Sequence, residues 1–131
     1  MNDAVHDPGI AEASERSRQA GEAGEADLPV FVTSSGCRIR IGTASWTDPT
    51  MVAPGVFYPD GVATAEARLR YYASQFPLVE VDSTYYAIPA RRMGVLWAER
   101  TPAHFVFNVK AHALMTGQPT ETARLPRALR E

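Results

Sequence analysis

Two carboxylates, Glu80 and Asp82, alternate with valines in the run Val79-Glu80-Val81-Asp82-Ser83-Thr84-Tyr85-Tyr86, which then passes into hydroxyls and aromatic rings. Successive strand side chains face opposite ways, so the two acids share one face and Val79 and Val81 the other. The valines need an apolar layer, which leaves the acids aimed at whatever lies across the sheet. A carboxylate whose pKa is moved by burial and by a neighbouring charge suits general acid or base chemistry; an ion pair that only fixes strand register is the alternative. Lys110 ends a similar run, Phe105-Val106-Phe107-Asn108-Val109-Lys110, and Ala111-His112 follows. A lysine there suits anion binding, an ion pair or, if desolvated, a Schiff base. Glu80, Asp82 and Lys110 are accordingly the candidate catalytic residues. Trp46, Ser83, Thr84, Tyr86 and His112 are the candidate substrate-binding residues, aromatic walls with polar tips at one rim. No paired-histidine spacing accompanies His112, so no metal is assigned. The phosphate-binding glycine motifs and the nucleophile elbow are missing, and no cofactor is named by the sequence.

Positioning these residues requires a regular scaffold. Arg38 to Ile41 alternates with period two and meets Gly42, which predicts a first strand ending at the glycine. A long loop, Thr43 to Pro59, carries Trp46, Asp48, three prolines and Phe57-Tyr58. Thr64 to Phe76 reads as a helix capped by Thr64, with Leu69, Tyr72, Ala73 and Phe76 on one stripe and Pro77 as its stop. Leu78 to Ser83 is the second strand and Ala90 to Arg100 the second helix, in which Gly94 predicts either close packing or a weak helix. Phe105 to Lys110 is the third strand, and Leu125 to Arg130 the start of another helix. Strand, helix, strand, helix, strand is the pattern of a parallel sheet with helices on one side.

With helices outside, Ile39, Ile41, Val79, Val81, Phe105, Phe107 and Val109 face them, and Arg38, Arg40, Glu80, Asp82, Val106, Asn108 and Lys110 face inward. So polar an inner face resembles the lining of an enzyme barrel more than a sandwich core. Strands pairing in sequence order set Arg40 beside Glu80 as an ion pair, with Glu80 to Lys110 as the other pairing.

The chain has 131 residues, 45% hydrophobic and 21% charged, and a net charge of −2 that hides an asymmetry. Residues 1–35 carry seven acids against Arg16 and Arg18, and the remainder eleven bases against eight acids. Residues 1–35 therefore read as a disordered acidic leader, poor in large apolar groups, and 36–131 as the folded domain. A body excess of three positive charges is too small for a nucleic-acid footprint. No stretch approaches a membrane span and no secretion signal opens the chain, so the expected location is the cytoplasm. Cys37 is the one cysteine, which excludes an intramolecular disulfide.

Gly42-Thr43-Ala44-Ser45-Trp46, Phe57-Tyr58-Pro59, Leu69-Arg70-Tyr71-Tyr72-Ala73, Val79 to Tyr86, Pro89, Trp97, Thr101-Pro102 and Phe105 to Lys110 occur in an order that resembles the N-terminal part of the YecE-like family, catalogued as domain of unknown function 72. The resemblance runs from about Arg38 to Leu129. It implies a bacterial TIM-type β/α barrel in which Trp46, Glu80, Ser83, Thr84, Tyr86 and Lys110 stand at positions the family pattern marks, but it implies no reaction. Asp82 departs from the pattern's usual asparagine, and Gly117 replaces a histidine after Thr116. A full barrel takes about 250 residues, so the expectation is an α/β fold holding about three βα units of an incomplete barrel. Its unpaired strand edges should make the isolated chain self-associate. A small polar or anionic molecule is the expected ligand; a non-catalytic binding or scaffold module, or a nonfunctional remnant, remains the alternative.

Overall fold

The computed structural model describes Leu28 and residues 30–130, so the acidic stretch expected to be disordered lies almost wholly outside the described residues. Among the described residues a parallel sheet in the order β3-β4-β5 is built from β3 (Gly42–Ala44), β4 (Leu78–Val81) and β5 (Val106–Val109). Helix α1 (Pro49–Val52) and helix α2 (Ala65–Gln75) lie between β3 and β4, and α3 (Arg91–Glu99) lies between β4 and β5. This is a mixed α/β fold. Single 3₁₀ turns follow β4 at Asp82–Tyr85 and β5 at Ala113–Thr116, and two more occupy Thr122–Arg124 and Arg127–Leu129.

The first expected strand is corrected by the sheet order. Two short strands, β1 (Val30–Val32) and β2 (Arg38–Arg40), form a separate antiparallel ribbon that pairs Phe31 with Ile39. Gly36 takes a left-handed conformation (φ 82°) in the tight turn, where its N–H reaches the Thr33 carbonyl. Ile39 and Ile41 are exposed instead of facing the helices. Gly42 does not end a strand; it begins β3, opposite Leu78. Arg40 therefore lies four residues before Ala44, the register partner of Glu80, and the expected Arg40 to Glu80 pair gives way to the alternative with Lys110.

The parity of Val79, Val81, Phe105 and Phe107 is as expected, whereas Val109, expected to face the helices with them, lies at the open end of β5 and is 59% exposed. Val79 and Val81 are buried with Tyr72, Ala73 and Phe105, and Phe107, Phe76, Trp97 and Trp46 pack against that cluster. Each fully buried side chain of this size stabilises the fold by about 1.5–3 kcal/mol. Helix α2 starts where Thr64 Oγ1 accepts from the Ala67 N–H, carries Glu66 in its first turn and ends before Pro77. The long loop after β3 folds onto this helix: Tyr58 and Val62 form a second buried cluster with Met51, Phe57 and Tyr71.

Tyr72 joins α2 to both strands beneath the site. Its buried hydroxyl accepts the Thr43 N–H at 2.8 Å and donates to the Leu78 carbonyl at 3.1 Å, with Thr43 Oγ1 2.9 Å away. Burial raises the phenol pKa, so the group is neutral and able to donate well into alkaline solution. Tyr72→Phe should cost about 1–3 kcal/mol, because it strands a buried N–H and weakens satisfaction of a carbonyl while leaving the ring in place. Urea unfolding of the full-length variant measures this.

Helix α3 matches its expected span to within a residue at each end and is held loosely. None of its residues is buried, and Ala90 offers no capping side chain. Gly94 has open space around it, so close packing is not the reason for the glycine. The helix expected over Leu125 to Arg130 is a single 3₁₀ turn.

Candidate functional site

The carboxyl ends of β3, β4 and β5 share one edge because the strands are parallel and in register. Gly42, Leu78 and Val106 form one row across the sheet, and Ala44, Glu80 and Asn108 the row two residues nearer that edge. By strand alternation these rows lie on the face opposite Val79. The lower row is apolar, and the upper row brings in the polar Glu80 and Asn108 beside Ala44.

Above them stands a three-charge cluster. Lys110 Nζ donates to Asp82 Oδ1 at 2.7 Å and lies 3.5 Å from Glu80 Oε1. The three groups are partly solvated, with side-chain exposures of 36% to 46%, so this is a hydrated cluster and not a desolvated one. Asp82 does not continue the strand as expected: β4 stops at Val81, and Asp82 opens the 3₁₀ turn. Its carboxylate still meets Lys110. The hydrogen bond from Lys110 holds the Asp82 carboxyl below the usual carboxylate range, and the same bond raises the Lys110 ammonium pKa. At neutral pH both are therefore ionised, and with Glu80 the cluster carries two negative charges against one positive.

Thr84 is buried. Its hydroxyl lies 2.7 Å from both the Val81 and Lys110 carbonyl oxygens, so its single proton serves two main-chain acceptors, one at the end of β4 and one just past β5. The Lys110 N–H also reaches the Val81 carbonyl, at 3.4 Å. Thr84 thus ties the strand ends on which Asp82 and Lys110 stand, and does not face solvent at the rim. His112 is likewise buried at 3% exposure. Its Nδ1 accepts the Leu114 N–H at 3.2 Å, which caps the following 3₁₀ turn; its Nε2 is buried with no partner among the described residues. An accepting Nδ1 places the proton of a neutral ring on Nε2.

Ser83 and Tyr86 are exposed at the rim. Tyr86 meets Tyr85 edge-on at 5.1 Å between centroids, and the Tyr85 ring lies 5.8 Å from Lys110 Nζ. Trp46 turns the other way. Its ring packs edge-on against Trp97 at 5.9 Å and Phe107 at 6.5 Å, on the helix side of the sheet, so it braces the core and is not brought to the charged cluster.

The turn that redirects Trp46 is at Ser45, a residue overlooked in the sequence. Ser45 adopts φ 78°, a left-handed conformation that costs a non-glycine residue about 1–2 kcal/mol. It is held there by its N–H on the Glu80 carbonyl at 2.9 Å, by Thr43 Oγ1 donating to its carbonyl at 2.8 Å, and by the Thr47 N–H on its own Oγ at 3.1 Å. Its sequence carried no signal, since glycine or asparagine is the usual mark of that conformation. Among the described residues no cluster of three or more His, Cys, Asp or Glu side chains could hold a metal ion, and no helix is long and apolar enough to cross a membrane.

The model of the family described as protein of unknown function DUF72 matches residues 40–130, more than half of the chain. The chain belongs to the DUF72 family. That match begins at the end of β2 and takes in the whole parallel sheet and every residue of the charged cluster. A curated relative, UPF0759 protein YunF of Bacillus subtilis (strain 168), is 39% identical over 79 residues, which make up 60% of this chain and 26% of the relative. The chain thus spans about a quarter of the length of this curated relative. No solved structure matches.

Proposed function

We propose that the Glu80–Asp82–Lys110 edge is one wall of a ligand site in a TIM-type β/α barrel, of which these residues form about the first three βα units. The full-length protein, acting in the cytoplasm, binds a small hydroxyl-bearing molecule there. The observation that carries this reading is Lys110 Nζ reaching two carboxylates from a neighbouring strand at the carboxyl edge of a parallel sheet, where enzymes of barrel type place their sites.

The ionisation states narrow the chemistry. A Schiff base needs a neutral amine, and Asp82 raises the Lys110 pKa, which disfavours that role. Asp82, held ionised, accepts hydrogen bonds and is a poor proton donor. Lys110 is best read as a positioning cation that fixes two acceptors, and Glu80 and Asp82 as the acceptors for substrate hydroxyls. Ser83 and Tyr86 add polar and aromatic rim contacts, while Thr84 and His112 support the strand ends from beneath. Fold type alone does not choose among the many reactions barrels perform, so no reaction is assigned.

The test is an NMR titration of the full-length protein with glucitol, ribitol and gluconate. At least one of the three should shift the resonances of Glu80, Asp82 and Lys110 together, and Glu80→Gln should weaken that ligand about tenfold, the loss of one hydrogen bond to a charged group. If the three probes leave the cluster unmoved, or Glu80→Gln binds as well as the parent, the reading fails.

A further inference from the structure

The aromatic rim leads away from the charged cluster to a second cation. The Arg124 guanidinium lies 5.9 Å from the centroid of the Tyr86 ring; Tyr86 meets Tyr85 at 5.1 Å; and Tyr85 lies 5.8 Å from Lys110 Nζ. Lysine, tyrosine, tyrosine and arginine thus form one continuous row of contacts from the sheet edge to the 3₁₀ turn Thr122–Arg124.

The two cations differ in how firmly they are held. Lys110 faces two carboxylates, and its cluster is net negative, so an anionic group arriving there meets repulsion and must displace a 2.7 Å bond. Among the described residues Arg124 has one acidic partner, the exposed Glu121, at 3.1 Å, three residues away, with exposures of 48% and 70%. A solvated pair of this kind is worth about 0.2–1 kcal/mol and yields readily to a better acceptor. The contact uses Nε, so it does not occupy the edge formed by the two terminal nitrogens, the edge that matches a carboxylate or phosphate with paired donors. Tyr86 supports the guanidinium from one side.

We infer that Arg124, backed by Tyr86, is the anion anchor of this site and selects ligands that carry a carboxylate or phosphate group at one end. This rests on the proposed hydroxyl-binding role of Glu80 and Asp82 and adds the charge requirement that those two acids cannot supply. Hydroxyls go to the carboxylates, and the anionic end goes across the tyrosines to the arginine.

Two probes on the full-length protein decide it. Inorganic phosphate, followed by NMR, should shift the Arg124 Nε–H and the Tyr86 ring more than Lys110, and Arg124→Gln should weaken phosphate roughly tenfold. The same variant should weaken gluconate by a similar factor and leave glucitol unchanged, because only gluconate carries an anionic end. Phosphate that shifts Lys110 first, or an Arg124→Gln protein that binds phosphate as the parent does, overturns the inference. Failure of the polyol reading is distinguishable from failure of the anion anchor: glucitol and ribitol then do not bind, while the phosphate response at Arg124 and its loss in Arg124→Gln persist. Arg124 is exposed, so the substitution leaves no buried group unpaired.

Discussion

Gly42→Ala is expected to destabilise the protein by about 3 kcal/mol or more, a large fraction of the stability of an ordinary domain. A Cβ at position 42 would lie 2.2 Å from the Leu78 carbonyl oxygen, 2.8 Å from Leu78 Cδ1 and 2.9 Å from the Leu78 carbonyl carbon. Two of those atoms are backbone of the neighbouring strand, so relief requires β3 to move away from β4. That movement would break the contact of Tyr72 with both strands and shift Ser45 relative to the Glu80 carbonyl that holds it. Gly94→Ala is the matched control. It sits in an exposed helix interior with open space around it, and alanine there should stabilise the protein by about 0.5–1 kcal/mol. Urea unfolding of the full-length parent and both variants gives the comparison; a Gly42→Ala protein as stable as the parent would mean that β3 and β4 do not approach as described.

Gly42 also marks where sequence reasoning reached its limit. Alternation from Arg38 to Ile41 identifies a strand correctly, but period two carries no information about which sheet a strand joins. A glycine at the end of such a run reads as the strand's stop and the start of a loop. Here it is needed because a neighbouring backbone comes close, the other standard reason for a strand glycine. The consequence was an ion pair assigned to Arg40 that the register gives instead to Lys110.

Where a strand has one buried face, parity was legible. Val79 and Val81 are forced onto α2, and Glu80 and Lys110 then meet on the opposite face whatever the details of the loops. Side chains just beyond a strand end are different, because a single dihedral decides their direction. Trp46 follows a left-handed Ser45 and goes to Trp97 and Phe107, although its position in the chain placed it at the rim. Thr84 and His112 have types suited to a ligand, yet the first directs its hydroxyl to two main-chain carbonyls and the second caps a turn. Local main-chain demands of this sort compete with ligand binding for polar groups, and composition does not show which one wins. Arg124 is hidden for another reason: its link to Lys110 passes over two tyrosine rings from a turn that has no periodic pattern to read.

Lys110→Met is expected to have the largest effect on the candidate site while leaving the fold intact. The side chain is exposed, so its loss opens no core cavity, and methionine keeps most of the aliphatic stem. What changes is the charge: Glu80 and Asp82 are left facing one another with no cation between them. The Asp82 carboxyl, now without its hydrogen-bond donor, should rise back toward the usual carboxylate range, as a carbon-detected NMR titration would register. The pH dependence of stability follows from the two directions of shift. Asp82 has its pKa lowered by folding, so its contribution is present above the ordinary carboxylate value near about 4 and is lost as pH falls through the lower folded value. Lys110 has its pKa raised, so its contribution is present below the ordinary lysine value near about 10.4 and is lost as pH rises through the higher folded value. The difference in stability between the parent and Lys110→Met should therefore be level from about pH 5 to 9 and shrink on either side. Added salt should reduce it throughout, because the groups are solvated. For binding, two unpinned like charges lose their common geometry as acceptors, and affinity for a hydroxylated probe should fall about a hundredfold, roughly two charge-assisted hydrogen bonds. An Asp82 titration that is the same with and without Lys110 would mean the bridge does not form in solution, and the ligand site proposed on it would lose its foundation.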